Sequence, residues 1–538
     1  MAAVAAQSGR RGSPNPWVIL VVVSIGFFMT LLDLTIVNIA IPNMITKLHA
    51  SLDDILWVIN AYALVLAVLL ITCGRLGDLL GQRTVFFAGI AVFTLASAAC
   101  GVAPSPGYLI AFRAVQGVGA AMLMPQTLAI LTMVFPPERR GAAFGVWGAV
   151  AGVATIAGPT LGGLLVTAFD WRYIFFINVP IGIVVLVLTV FLVPDLRTGR
   201  KHSFDVSGVV VASLALLAIC YALVDGQKYN WGTITSFISI PLLLGVGVVL
   251  LGAFLLIQSR RQGGEPLVPF SLFKDRNYAL MNLVAGFIAI GMLGIFLPFS
   301  IYLQSVLGFS ALKAGLTMAP ASLVSMFVAP VAGRMSDRIG GKYILLAGLL
   351  LFGGGMGAIA LIAQTNSAWY DFLAPQFVAG IGIGCVFAPM TTVAMRNVSP
   401  MMAGAASGLF NTTRQVGTVI GTAGVGALLQ NRLLAGFTDQ VIQRGAALPT
   451  AARDKLLAGF QSAARGGLEM GSGARTSGLA GEVFTHGFVQ AMRPTMTVPI
   501  IFLIAGAASC LLIKRQPSGQ ADAARSQEVT EPSATAAG

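Results

Sequence analysis

The sequence predicts an all-α integral membrane protein with fourteen transmembrane helices, in which two related six-helix bundles flank two inserted helices. Two observations carry this prediction. The composition is too apolar for a water-soluble surface, and segments of the first half of the chain return in the second half. A third observation, the distribution of basic residues, predicts the orientation of the chain in the membrane.

The composition excludes an ordinary soluble protein. Of the 538 residues, 56% are hydrophobic and 10% are charged, and the mean hydropathy is +0.85, whereas soluble domains have about 25% charged residues. A net charge of +13 would suit nucleic acid, but the basic residues lie in short gaps between apolar runs. The expected partner is therefore a lipid bilayer and not nucleic acid. The five cysteines and three histidines form no metal-binding motif, so no metal and no cofactor is expected.

Fourteen apolar runs have the length of about 20 residues that a spanning helix needs. The first run is too long for a cleaved signal peptide. The runs begin near Trp17, Ile55, Thr84, Gly107, Gly141, Tyr173, Val206, Ile234, Asn277, Lys313, Tyr343, Tyr370, Gly404 and Pro494.

An even number of spans places both termini on one side of the membrane. Most lysines and arginines of the short gaps fall on that side, which is therefore predicted to be cytoplasmic. The predicted tails, 1–15 and 516–538, are polar and lie inside. A long loop, 431–493, lies outside and contains two stretches with the apolar periodicity of a helix, "NRLLAGFTDQVIQ" and "AARDKLLAGFQSAARGG".

Two repeats relate the halves of the chain. The turn "GRLGDLLGQR" returns as "GRMSDRIGGK", and the segment that begins "RGAAFGVWGAV" aligns with the one that begins "AGAASGLFNTT". The second alignment superposes Gly141, Gly145 and Gly158 on Gly404, Gly408 and Gly421. The domains predicted from these repeats are a first bundle at 16–200, an insertion at 201–262 and a second bundle at 263–515. Parallel halves of this kind are typical of transporters that alternate access to a central site.

Each repeated turn carries an aspartate, Asp78 or Asp337, near the predicted start of a helix in the other half. Because a helix N-terminus stabilises a carboxylate, we expect each aspartate to reach that helix start and close an inner gate. The alternative is that the turns are polar signals for topology alone. The residues assigned to the gate are Arg75, Asp78, Arg83, Asp337, Arg338 and Lys342.

Charged residues also fall inside the predicted spans. Asp33 and Arg113 lie at similar depth on helices that run in opposite directions, so both are expected to face a cavity. Asp33 is the predicted site of proton exchange, at which a cationic substrate would compete with the proton, and Arg113 would set its proton affinity. The alternative for Arg113 is a structural tie between helices. The other residues predicted to line the cavity are Asn38, Asn60, Gln116, Arg414 and Gln415.

The fifth predicted span contains a candidate hinge at Gly158, Pro159 and Gly162. Proline removes a backbone hydrogen bond and bends a helix, while glycines at four-residue spacing allow a neighbouring helix to approach closely. Close packing without any hinge explains the glycines equally well.

Several of these stretches resemble a known family. "GRLGDLLGQR", "LIAFRAVQGVGAA" and "GVATIAGPTLGG" resemble signatures of the major facilitator superfamily, and "LDLTIVNIAIP", "WVINAY" and "WRYIFFINVP" resemble patterns of its fourteen-helix drug:proton antiporter branch. The resemblance implies a monomeric, non-enzymatic transporter of the bacterial plasma membrane that exports small amphipathic or cationic compounds in exchange for protons. Leu79 and Gln82 depart from the first signature, which commonly has basic residues there, so a tight charge cluster around Asp78 is not implied.

Two other functions stay open from the sequence. A dedicated exporter of one metabolite, such as an antibiotic, a siderophore or an amino acid, would have the same architecture. A membrane sensor or scaffold is the rival from another class, although the chain contains no soluble signalling domain. An ATP-driven pump is disfavoured because no GxxxxGK[ST] loop is present to hold phosphates.

Overall fold

A computed structural model of the chain describes residues 15–48, 50, 52–195, 205–226, 229–262, 266–444, 449, 452–455, 457–460 and 478–514. Within these ranges the chain is helical and forms no β-strand. The predicted tails, 1–15 and 516–538, lie almost wholly outside the described residues.

The helices of the first half and of the insertion follow the predicted apolar runs. Their bounds are α1 Pro16–Leu48, α2 Leu52–Leu80, α3 Gln82–Gly101, α4 Pro106–Val134, α5 Arg140–Ala168, α6 Tyr173–Leu192, α7 Val206–Asp225 and α8 Ile240–Arg260. The break between α2 and α3 falls at Gly81, whose positive φ of 93° suits a residue without a side chain.

The second half repeats this order. Its helices are α9 Arg276–Ile301, α10 Ala311–Ile339, α11 Lys342–Ile362, α12 Trp369–Met395, α13 Ala403–Arg444 and α14 Leu479–Leu511. Side-chain caps start two of them. Asp275 accepts a hydrogen bond of 2.8 Å from the backbone N–H of Asn277 in α9, and Ser310 accepts one of 3.2 Å from Lys313 in α10.

Twelve helices in the described part of the chain are long and apolar enough to cross a membrane. Two more, α5 and α13, are not among the twelve, but they occupy the positions that the repeat makes equivalent. Both pack against the opposite half, α5 on α10 and α13 on α2. The all-helical membrane architecture is confirmed, and the count of fourteen spans depends on these two helices.

The inserted helices attach to the bundle on one side. Ala212 and Cys220 of α7 are buried in a cluster with Leu64 of α2 and Val419 of α13, so α7 touches both halves. The helix α8 packs on α7 and is otherwise largely exposed. At the start of α7, Asp205 accepts hydrogen bonds from Gly208 N (2.8 Å) and Gln258 Nε2 (2.7 Å) and forms an ion pair with Arg261. This carboxylate ties α7 to the end of α8.

The predicted outer loop, 431–493, is helical at both of its ends. α13 runs on to Arg444 and α14 begins at Leu479, and between them Arg444 Nη1 forms an ion pair of 2.7 Å with Glu482 Oε2. Phe437 stacks on Phe484 with ring centroids 5.7 Å apart. The helical periodicity of "NRLLAGFTDQVIQ" reflects an uninterrupted α13. The predicted start of the last span, Pro494, lies inside α14. A proline can lie inside a membrane helix when neighbouring groups satisfy the carbonyl that it leaves free. Residues 445–448 and 461–477 lie outside the described ranges.

Candidate functional sites: a buried charge cluster and two helix-end contacts

A buried cluster of polar side chains lies within the first bundle. Asp33 of α1 and Arg113 and Gln116 of α4 are each at most 1% exposed. Arg113 Nη1 donates to Asp33 Oδ2 and, at 2.8 Å, to Gln116 Oε1, while Gln116 Nε2 donates to Asp33 Oδ1 at 3.0 Å. Both carboxylate oxygens are therefore engaged, and the ion pair is closed off from water in this structure.

The guanidinium of Arg113 has further partners. Its Nε donates to the backbone carbonyl of Val58 at 3.1 Å, and its Cζ lies 4.3 Å from the centroid of the Tyr62 ring, both on α2. If Asp33 accepted a proton, Arg113 would keep the Val58 and Gln116 carbonyls and the Tyr62 π-face. A buried charge that loses its counter-ion is strongly destabilised unless other groups stabilise it. The cluster can therefore accommodate Asp33 in either protonation state.

The structure brings together only some of the residues that were predicted to line the cavity. Asp33, Arg113 and Gln116 come together, whereas Asn60 and Gln415 are half-buried and neither bonds to Asp33. The side chain of Asn38 lies outside the part of the chain that the structure describes. The enclosure of Asp33 also means that a cationic substrate could compete for it only after the cluster had opened.

The two repeated turns meet helix starts of the opposite half. Asp78 Oδ1 and Oδ2 accept hydrogen bonds of 2.8 Å each from the backbone N–H groups of Gly404 and Ala405, the second and third residues of α13. These groups are unpaired within the helix itself, and the N-terminus carries a partial positive charge. The contact therefore links the first half to the second through one carboxylate that accepts two backbone hydrogen bonds.

The second turn makes the equivalent contact in the other direction. Asp337 Oδ1 accepts from Gly141 N at 2.8 Å and Oδ2 accepts from Ala142 N at 3.0 Å, at the start of α5. We call the end of the bundle at which both turns lie the gate end, and the two contacts the Asp78 and Asp337 latches. Asp78 is buried and Asp337 is half-buried, so the Asp78 latch is the better shielded of the two.

Glycines make the helices meet closely enough for these latches. A Cβ on Gly74 would collide with the backbone of Gly404 and Gly408, and a Cβ on Gly333 would collide with the backbone of Gly141. Each turn therefore needs a glycine four residues before its aspartate, because that position faces the partner helix one turn away. The repeat in the sequence is a repeat of this contact.

The basic residues of the predicted gate have separate roles. Arg75 lies 3.8 Å from Asp78, and Gln82 donates to the same carboxylate at 3.2 Å. Arg83, which was also assigned to the gate, donates to the carbonyl of Val190 at 2.6 Å and not to Asp78. Lys342 donates to the carbonyl of Leu511 at 2.6 Å, at the end of α14. Arg338 is exposed and does not bond to Asp337. The charge cluster around each aspartate is thus looser than the number of basic residues suggests.

Two residues that the sequence did not single out also cross between the halves at the gate end. Arg140 donates to the carbonyl of Met395 at 3.0 Å while also bonding to Thr132 O at 2.6 Å. Ser407 donates to the carbonyl of Pro125 in α4 at 2.8 Å. Arg140 directly precedes Gly141 of the repeat, and this position could have indicated a residue at the contact between the halves. A single serine in α13 carries no such pattern.

The candidate hinge in α5 contains close packing contacts. The helix is assigned without a break from Arg140 to Ala168, and a Cβ on Gly158 would collide with Thr35 of α1. Gly162 is buried, and the side chain of Pro159 is not described. In the second half, a Cβ on Gly421 would meet the backbone of Ile290 in α9 in the same way. The contacts favour the close-packing interpretation of these glycines.

Comparisons with known proteins agree with this architecture. The sequence profile described as the Major Facilitator Superfamily matches residues 23–422. The chain is 34% identical to the tetracenomycin C resistance and export protein of Streptomyces glaucescens, over 98% of this chain and 96% of that one. It is 35% identical to the multidrug resistance protein Stp of Mycobacterium tuberculosis, over 76% and 75% of the two chains.

A solved structure shares the fold. It is a bacterial homologue of the human lysosomal transporter Spinster, which superposes with a TM-score of 0.54 over 92% of this chain and 96% of that chain at 16% sequence identity. The repeated halves, the latches between them and the profile match over most of the sequence lead to one conclusion. This chain belongs to the major facilitator superfamily.

Proposed function

We propose that the protein is a proton-coupled exporter of small amphipathic compounds, with fourteen membrane spans, a cytoplasmic gate end, cytoplasmic termini and a monomeric state in a bacterial plasma membrane. The observation that carries the proposal is the buried Asp33–Arg113–Gln116 cluster in a bundle whose halves are latched at one end. A charged carboxylate inside a membrane protein is energetically costly, and such residues therefore usually mark functional sites. Asp33 is fully buried.

The coupling follows from the geometry of the cluster. While Asp33 is ionised, its bonds to Arg113 and Gln116 hold α1 against α4. Protonation removes the charge that attracts Arg113, which retains the Val58 carbonyl. The α1–α4 contact weakens, and α1 can shift together with α5, which packs on α10 of the other half, so that the halves can rearrange. Substrate that favours the rearranged state then changes the proton occupancy of Asp33, because two ligands that bias one equilibrium are thermodynamically linked.

A dedicated exporter of one antibiotic is the second candidate. The relative that matches this chain almost from end to end is named for resistance to, and export of, a single compound, tetracenomycin C. A panel of chemically varied dyes in inside-out vesicles, with an imposed proton gradient, separates the two. Uptake of several unrelated dyes supports the broad exporter. If the vesicles take up none of the dyes but strongly accumulate one metabolite, the dedicated exporter is supported.

The proton site is tested with a dye that the vesicles accumulate. In detergent-solubilised protein, addition of that dye should release protons, and the Asp33→Asn variant should lose both this release and uphill transport. Asp371→Asn removes an exposed carboxylate near the start of α12 and serves as the matched control, with release unchanged. Undiminished release from Asp33→Asn would place the exchanged proton on another residue.

A further inference from the structure

Arg414 is a charged residue that the proton-exchange site does not use. It lies eleven residues after the start of α13, which at 1.5 Å per residue is about 16 Å along the helix and near the middle of a hydrocarbon core of roughly 30 Å. The side chain is half-buried. It makes no hydrogen bond or ion pair with any residue in the described ranges, whereas the buried Arg113 has five such partners or ring contacts.

The helical periodicity of α13 shows which way Arg414 points. Ser407, two turns earlier on the same face, bonds to Pro125 of α4 across the two halves. Gly421, two turns later on the same face, and Gly417, one turn later, would each meet the backbone of α9 if they carried a Cβ. Leu409, on the opposite side of the helix, packs against the cluster that contains Leu64 of α2 and Cys220 of α7. Arg414 lies on this face between a contact with α4 of the first half and a contact with α9 of its own half, so it points into the bundle, two turns beyond the gate-end contacts, and not toward the lipid.

Two buried acidic side chains of the first half, Asp33 and Asp78, are already engaged. Asp33 is enclosed with Arg113, and Asp78 caps α13 itself. The repeat counterpart of Arg414 is Ala151, so the fold does not need a charge at this position. One turn before it, Asn411 is 2% exposed and its Oδ1 has no hydrogen-bond partner. A buried acceptor without a partner therefore lies one helical turn from an arginine that has no partner among the described residues, and both groups lack a polar complement.

We propose that Arg414 binds the anionic group of the exported substrate, a carboxylate or an acidic phenolate on a largely apolar body, with Asn411 accepting a hydrogen bond from an adjacent hydroxyl. The proposal rests on the exporter function and narrows its substrate class. An unpaired arginine within a membrane protein marks a substrate path, and the planar guanidinium matches a carboxylate with two parallel hydrogen bonds. The same charge repels cations, for which the described cavity face of α13 offers no carboxylate.

The test compares two dyes that share a xanthene ring system and differ in charge. Fluorescein is anionic at mildly alkaline pH, and tetramethylrhodamine methyl ester is cationic. Their binding to purified full-length protein is measured by fluorescence anisotropy for wild type, Arg414→Gln, Arg414→Lys and Arg432→Gln. Arg432 is exposed and lies five turns further along the same face of α13, so Arg432→Gln removes an equal charge outside the site. Size-exclusion profiles and thermal melts establish that each variant is folded.

The expected result is that Arg414→Gln weakens fluorescein binding roughly ten- to hundredfold, the range for loss of a hydrogen-bonded charge pair, and leaves or improves binding of the cationic dye. Arg414→Lys should restore part of the affinity and Arg432→Gln should match wild type. Equal loss for both dyes, or no wild-type binding of fluorescein, overturns the proposal. Transport of the cationic dye but not of fluorescein by the wild type would overturn the role of Arg414 and leave the exporter function intact. Failure of all proton-driven transport in vesicles would instead overturn the proposed exporter function.

Discussion

Neutralising the two latches should open the gate end. In Asp78→Asn and Asp337→Asn, the side chain loses its charge and replaces one accepting oxygen by an NH₂ group that faces a backbone N–H. A carboxylate at a helix N-terminus contributes up to about 2 kcal/mol when partly buried, and hydrogen bonds to charged groups contribute about 1.5–3 kcal/mol. Since Asn can still accept one bond, we expect a loss of about 1–2 kcal/mol per latch, with the half-buried Asp337 at the lower end.

The double variant should therefore shift the equilibrium between closed and open gate ends by about 2–4 kcal/mol, or roughly 30- to 700-fold at 1.4 kcal/mol per tenfold. Pulsed electron paramagnetic resonance measures this shift between spin labels on exposed residues. One label pair joins Leu80 to Met401 at the gate end, and the other joins Val102 to Leu361 at the far end. The gate-end distance should gain a longer population while the far-end distance shortens.

Asp275→Asn is the matched control. Asp275 also caps a helix at the gate end, with Asn277 N at 2.8 Å, but its partners lie in its own half. Gly333→Ala tests the same closure sterically, since its Cβ would collide with the backbone of Gly141, whereas a Cβ on Gly354 meets nothing within 4 Å. Unchanged distance distributions in the double variant, or an equal shift in Asp275→Asn, would refute the latch and leave the turns as topology signals.

Two further predictions concern topology and the inserted helices. An impermeant thiol reagent applied outside cells should label a cysteine placed at Val102 but not one at Leu80, and labelling of both would contradict the fourteen-span topology. Burial works against ionisation of Asp205, but hydrogen bonds from the α7 backbone and Gln258, together with the charge of Arg261, hold its pKa below the usual range. The stabilisation it gives is therefore present at neutral pH and lost as the pH falls through that lowered pKa. The check is the hydrogen-exchange protection factor at the start of α7, which corrects for the intrinsic slowing of amide exchange at low pH. It should be lower in Asp205→Ala, and in wild type at low pH, and equal protection in all cases would contradict the prediction.

Much of the architecture could be predicted from local signals. Apolar runs mark spanning helices because the bilayer demands about 20 apolar residues in sequence, and the repeated glycines and aspartates predicted that each turn meets a helix of the other half. The misplaced ends of α13 and α14 arose because hydropathy marks where a helix leaves the lipid and not where its hydrogen bonding ends. Beyond that point, pairing of Phe437 with Phe484 stabilises the helices.

The sequence by itself determined the membrane class, the repeated halves and the residues that carry charge into the membrane, because each depends on composition or spacing along the chain. Only the tertiary structure decided how those charges are used. It bonded both Asp33 and Arg113 to Gln116, gave Arg83 and Lys342 backbone carbonyls in place of the gate aspartates, and left Arg414 unpaired among the described residues. The physical reason is that whether a buried charge has a partner depends on which helices meet at a given depth, and contacts between residues 80 or more positions apart leave no local pattern.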